Sequence, residues 1–175
     1  KDLAIFLKDR FKNYMKEKNV RQDIIESSTS SYNIDDILKI YKKANTLNNM
    51  ISKDIGLDVI FIYKRASNIL IDEINKNNLE ISDIADPGLF KNDFEKKLYK
   101  KIHDIRKEFS SISRENDYKG LLKSLASAKL EVTEFFDNVK VNDADNVIKK
   151  NRLELLKMLC KTFDNYFNFS KIESL

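Results

Sequence analysis

The chain has 175 residues, 42% of them hydrophobic, with 32 Lys plus Arg against 28 Asp plus Glu, which suits one large domain or two tightly joined helical layers. A net charge of +4 permits an RNA partner without arguing for one, and no apolar run approaches the roughly 18 residues of a membrane span or forms a secretory core. Three glycines and one proline leave few tight hairpins and favour long helices.

The first residue is Lys1 rather than methionine, and Leu3 already opens a helical pattern, so a segment of a longer polypeptide is expected. From Asp2 to about Lys18, Leu3, Leu7, Phe11 and Tyr14 fall on one stripe beside Phe6 and Met15, which predicts an amphipathic helix. A shorter helix is expected over Arg21 to Glu26, broken by Ser27-Ser28-Thr29-Ser30-Ser31, whose hydroxyls compete for backbone hydrogen bonds. Asn33 is the expected N-cap of the next helix, with Asp35 and Asp36 favoured by its dipole. Ile34, Ile37, Leu38, Tyr41, Ala44, Leu47 and Ile51 carry that stripe to a stop near Gly56. Leu57 to Asp72 is apolar nearly all round and keeps helical spacing through Ile62, Ala66, Ile69 and Leu70, which predicts a central buried helix.

Residues 75–88 read as a polar loop ending in Asp86-Pro87-Gly88, the best internal boundary in what is otherwise a single domain over 1–175. Beyond it, Phe90, Phe94, Leu98, Ile102, Ile105, Phe109 and Ile112 recur at successive helical turns. Asn116 or Asp117 caps a helix with Tyr118, Leu121, Leu122 and Leu125. Leu130 to Asn138 is a short helix, and Asp143 and Asp145 open a last one through Ile148, Leu155, Leu156, Leu159, Phe163 and Phe167. Seven or eight helices and no convincing strand predict an all-α bundle.

Catalytic chemistry finds little to stand on. His103 has no Cys or His at metal-ligand spacing and reads as a surface histidine. Cys160 reads as a small buried hydrophobe; as the single cysteine it excludes an internal disulfide and fits a reducing, cytoplasmic setting. No phosphate-cradling glycine loop or nucleophile elbow is present. No catalytic residue, metal site or cofactor is expected in this segment, and an enzyme in its own right would need a convergent polar pocket that the sequence does not announce. Two basic clusters remain. Lys64 and Arg65, followed by Asn68, sit on the apolar central helix, where a charge must reach a surface or a partner. Lys149, Lys150, Asn151 and Arg152 lie in the first turns of the last helix. Each has a plainer reading as an internal salt bridge or a solvated face.

Four stretches together resemble the C-terminal region of the β subunit of bacterial two-subunit glycyl-tRNA synthetases, an anticodon-binding domain of the DALR type. They are Phe6-Leu7-Lys8-Asp9-Arg10 with Asp23-Ile24-Ile25; Tyr63-Lys64-Arg65-Ala66-Ser67-Asn68-Ile69-Leu70; Leu89-Phe90 with Glu95 and Leu98; and Leu125 to Leu156. The last contains Phe135-Phe136-Asp137-Asn138-Val139, Asp145, Asn151-Arg152-Leu153 and Leu155-Leu156. Their co-linear order, more than any one motif, carries the likeness. The chain departs from the pattern at Lys140 and Asn142, where methionines are usual, at Lys149 in place of a common arginine, and in the serine-rich run from Ser27.

The resemblance implies a module that grips the anticodon arm of glycine tRNA. The chemistry, with ATP and Mg2+, would lie elsewhere in a cytoplasmic bacterial holoenzyme, a heterotetramer in which the partners are the rest of the β subunit and the α subunit. The residues it points to for RNA contact are Lys64, Arg65, Asn68, Lys149, Asn151 and Arg152, with Arg10 behind them. Asp137, Asn138 and Asp145 are expected to order those groups or cap helices. The competing reading is a helical module that docks a protein or subunit and never touches RNA.

Overall fold

A computed structural model describes residues 2–29, 37–77, 80–112 and 117–173. Among the described residues there are eight α-helices: α1 (Asp2–Glu17), α2 (Gln22–Thr29), α3 (Ile37–Met50), α4 (Asp54–Asn77), α5 (Asp93–Ile112), α6 (Tyr118–Ala126), α7 (Lys129–Asn138) and α8 (Asn146–Asp164). Two single 3-10 turns, Pro87–Leu89 and Phe169–Lys171, complete them, and no strand occurs among the described residues. The all-α expectation holds.

The 24-residue α4 is the axis of the bundle, about 36 Å long at 1.5 Å per residue. It packs against α8, α6, α3 and α7, burying Val59, Ile62, Tyr63, Ala66 and Leu70. It is not buried all round, however. Leu57, Phe61 and Ile71 are 44%, 43% and 55% exposed, so its continuous apolar run serves both a core face and an open one.

The stop expected near Gly56 falls earlier, after Met50, and Gly56 lies in the first turn of α4. A Cβ there would stand 2.2 Å from the Met50 carbonyl oxygen and 2.5 Å from Ile51 Cα. The glycine therefore marks a close approach between consecutive helices rather than a helix end.

The serine run does not break α2. The helix continues through Ser27, Ser28 and Thr29, all buried, and Thr29 Oγ1 donates to the Ile25 carbonyl one turn back. A hydroxyl that bonds within its own helix does not compete with it. The chain's end supplies the burial: the Asn168 amide donates to Ser27 O and the Glu173 amide to Asp23 Oδ2, laying the Phe169–Lys171 turn against α2. Ser30, Ser31, Asn33, Ile34, Asp35, Asp36 and Asn116 lie outside the described residues.

Of the other expected elements, some hold and others shift. Leu98, Ile102, Ile105 and Phe109 line the buried face of α5, and Asp117 caps α6 by accepting from the Gly120 amide. Asp145 caps α8, whereas Asp143 stands outside that helix. Residues 75–77 still belong to α4, and after it Ile81 and Ala85 are buried in the same core as both halves of the chain. α1 packs against α2 and buries Met15, while Leu7 and Tyr14 of its predicted stripe stay 40% and 44% exposed, and Phe6 beside the stripe 55%.

Candidate nucleic-acid interface

The open face of α4 carries the first cluster. One turn separates Phe61 from Arg65, and less than one separates Arg65 from Asn68, so the three share that face. The Arg65 guanidinium carbon lies 4.6 Å from the centroid of the Phe136 ring on α7 and 5.7 Å from that of Phe61. Asp137 stands 3.6 Å away, with both side chains well exposed at 35% and 59%. This pair is solvent-screened and contributes little to stability; the guanidinium stands within cation–π range of both rings. The side chains of Lys64 and Asn68, beside it, make no hydrogen bond or ion pair among the described residues. Cations, an amide and aromatic faces thus share one open surface, the residue types that neutralise phosphates and stack on unpaired bases.

The second cluster divides. Arg152 is 5% exposed and its guanidinium is spent internally. Nε donates to Glu95 Oε1 at 2.7 Å, and Nη1 donates to Asp143 Oδ2 at 2.6 Å and to the Lys140 carbonyl at 3.0 Å. Glu95 is the far end of a capping box. Its other oxygen accepts from the Lys91 and Asn92 amides, while Asn92 Oδ1 accepts from the Glu95 amide. Hydrogen bonds from the Asp145 amide and from Arg152 hold Asp143 below the ordinary carboxylate range. Asn151 is 2% exposed and clamps the Asp86 backbone from both sides, Oδ1 accepting from its amide at 2.7 Å and Nδ2 donating to its carbonyl at 3.0 Å. Arg152 and Asn151 therefore tie α8 to α5, to the loop before α8 and to the loop around Asp86.

Lys149 reaches Glu73 on α4 at 2.6 Å. Lys150 is exposed and makes no hydrogen bond or ion pair among the described residues. Together they wall an open pocket of about 740 Å³, with Leu89, Val147 and Glu154 around it and Asn151 at its edge. Glu73 also connects the two clusters. It lies eight residues past Arg65 on α4, about 12 Å along the axis. The Lys149 contact thus sets the start of α8 a little over two helical turns along α4 from Arg65.

Arg10 is exposed on α1 with its guanidinium 5.3 Å from the Phe6 centroid, joined to neither cluster. Asp137 orders Arg65 and Asp145 caps α8 through the Val147 and Ile148 amides. Asn138 donates to the Glu134 carbonyl at the end of α7. The residues that sequence reasoning missed are Phe61, which reads as core by its spacing, and the carboxylates Glu73 and Glu95, which no local signal pairs with α8. Cys160 is buried, and burial, then the Asp164 carboxylate, pushes its thiol up to about 12, so it stays protonated and inert. No group of three or more His, Cys, Asp or Glu suited to a metal occurs among the described residues, and no described helix is long and apolar enough to cross a membrane.

The model of the DALR anticodon binding domain matches residues 59–175. The chain belongs to this family. The matched span contains both basic clusters and the rings that hold Arg65, and it leaves out Arg10. The chain is also similar to proteins named glycine–tRNA ligase β subunit: 34% identical over 173 residues to that of Rickettsia canadensis (strain McKiel), covering 98% of this chain and 25% of the relative. Against that of Rickettsia typhi (strain ATCC VR-144 / Wilmington) it is 37% identical over 130 residues, 74% of this chain and 19% of the relative. Against that of Cereibacter sphaeroides it is 27% identical over 173 residues, 99% and 25%. The DALR domain described here therefore spans a quarter or less of the length of these relatives.

Proposed function

We propose that this DALR domain grips the anticodon arm of glycine tRNA as the recognition module of a glycine–tRNA ligase β subunit. The observation that carries the reading is the open α4 face, where the Arg65 guanidinium lies 4.6 Å from the Phe136 centroid and 5.7 Å from that of Phe61, with the Lys64 and Asn68 side chains beside it. Lys64 and Lys150 meet phosphates as mobile point charges, and Lys149 adds to the field of the pocket while held by Glu73. Arg65 and Asn68 present the planar donors that read base edges, and the Phe61 ring offers a stacking face. Asn151 and Arg152 act from within, keeping the start of α8 and its pocket in place. In this reading aminoacylation, with ATP and Mg2+, happens elsewhere in a cytoplasmic holoenzyme, and the rest of the β subunit and the α subunit are the protein partners.

The test is the binding of this chain to glycine tRNA by fluorescence anisotropy across a salt series, with the same tRNA carrying a replaced anticodon as control. Affinity that falls with salt and drops on anticodon replacement is the expected result. Equal affinity for both tRNAs reduces the face to a phosphate clamp. No binding to either at low salt overturns the proposal and returns the exposed Leu57, Phe61 and Ile71 to a protein-docking role.

A further inference from the structure

Three rings on and beside α5 form a ladder that the reading above leaves unused. Phe90 meets Tyr99 edge-on with centroids 5.4 Å apart, and Tyr99 meets His103 at 4.5 Å. All three are half-buried. Phe90 follows directly on Leu89, a wall of the Lys149–Lys150 pocket, so the ladder starts where that pocket ends and climbs α5 away from it. Residues three and four apart share a helix face, which sets Lys96 and Lys100 beside the rings. Both are exposed. Lys96 reaches Asp93 in a surface pair whose side chains are 62% and 83% exposed, and Lys100 makes no hydrogen bond or ion pair among the described residues.

The top of the ladder is rigid. Arg106, on the next turn, is spent pinning α5 to α8, its Nε donating to Thr162 Oγ1 at 2.8 Å and its Nη2 to the Met158 carbonyl at 3.1 Å. His103 Nε2 is buried with no hydrogen-bond partner among the described residues. Burial, with Arg106 and Lys107 nearby, lowers its pKa below the ordinary histidine value. A neutral imidazole at pH 7 offers a π face rather than a counter-charge. Aromatic rings flanked by exposed lysines are the arrangement on which single-stranded nucleic acids stack.

We infer that α5 is a second RNA-contact strip, on which an unpaired nucleotide of the bound tRNA extends the Phe90–Tyr99–His103 ladder while Lys96 and Lys100 meet its phosphates. The inference rests on the RNA-binding reading above and adds to it a surface outside both basic clusters.

His103 is the single histidine of the chain, so its ring protons give unambiguous NMR signals without labelling by mutation. The chain is titrated with glycine tRNA, with a short oligouridylate, and with an abasic ribose-phosphate of equal length. The expected result is an upfield ring-current shift of the His103 signals with the two base-bearing ligands and not with the abasic one. His103→Ala should weaken tRNA binding by about fivefold or more, and His103→Phe should retain it. Signals that stay still at saturating tRNA, or that move equally with the abasic chain, overturn the strip. A Lys64→Ala/Arg65→Ala double variant separates the two readings. If it abolishes tRNA binding in a chain whose His103 never responded, only the α5 strip is lost. If it leaves binding intact while His103 still shifts, the α4 reading is lost and the strip stands.

Discussion

The ammonium of Lys149, in the first turn of α8, lies 2.6 Å from the carboxylate of Glu73 on α4, whose side chain is only 6% exposed. The other Glu73 oxygen accepts from Asn142 Nδ2 at 2.7 Å. Two of the positions at which this chain departs from the family pattern therefore meet on one buried carboxylate, and the departure at Lys149 is an internal tie. Lys149→Ala takes the cation away from a charge that cannot reach water. The expected cost is about 1–3 kcal/mol, read as a lower urea midpoint at unchanged m. Lys149→Arg, which keeps the charge, should recover most of it; equal loss in both variants would show that charge is not what the site requires.

The same carboxylate sets a pH dependence. Hydrogen bonds from Lys149 and then Asn142 lower the Glu73 pKa below its ordinary value of 4.5. A carboxylate with a depressed folded pKa contributes stability that is complete above the unfolded value and is lost as pH falls through the folded one. Urea midpoints should therefore decline below about pH 4.5 in the native chain. Glu73→Gln should start lower at pH 7 and decline less, because its amide does not titrate. Parallel curves for the two proteins would remove Glu73 from the acid response.

Arg152 serves as a structural hub, with three internal acceptors drawn from α5 and the loop before α8. Removing one partner of a buried pair costs about 3–5 kcal/mol because the other charge stays behind, here Glu95 at 0% exposure. Arg152→Ala should lower the melting temperature sharply, and Arg152→Lys should rescue little, since an ammonium cannot span the three acceptors. Any loss of RNA affinity in these variants should follow the loss of fold. A well-folded Arg152→Ala chain that binds tRNA poorly would instead place Arg152 at the RNA.

The division between Arg152 and Arg65 shows what the sequence can tell and where it stops. The α5 stripe, the Asp117 and Asp145 caps and the run of Phe61, Lys64, Arg65 and Asn68 along α4 are all local, set by residues within a turn or two of one another, whereas the Phe136 ring and Asp137 reach Arg65 from α7. Arg152's acceptor Glu95 lies 57 residues away, and nothing in the spacing of either residue announces the other. The same holds for Ser27 to Thr29, where the local signal says break and the distant Phe169–Lys171 turn decides for burial. Phe61 fails in the opposite sense: it belongs to a continuous apolar run that reads as core, but it falls on the open face of α4, and the ring is left 43% exposed while Ile62 and Tyr63 beside it are buried.

Gly56 was read as a stop and is a spacer. Since a Cβ there would overlap the Met50 carbonyl and the Ile51 backbone, both of which are main chain, neither can rotate aside. Gly56→Ala gains helix propensity within α4 but must move α3 against it, so the net effect should be a loss of about 1–3 kcal/mol. Chemical denaturation would read it. A stabilised Gly56→Ala would mean that the α3–α4 corner is free to open.

Lysines that bind phosphate and lysines that bind protein should separate by salt. Lys64 and Lys150 are free of ion pairs among the described residues, so each phosphate contact they make releases a counterion. Replacing either by alanine should reduce the slope of log K against log salt by about 0.7–0.9 and leave the urea midpoint within about 0.5 kcal/mol of the native chain. Lys149→Ala should do the reverse, lowering stability while changing the slope less, because the Glu73 carboxylate already neutralises that ammonium. A slope that falls in Lys64→Ala but not in Lys150→Ala would mean that the pocket at the start of α8 does not meet the phosphates, and that Arg65 and its neighbours on α4 hold the RNA without it.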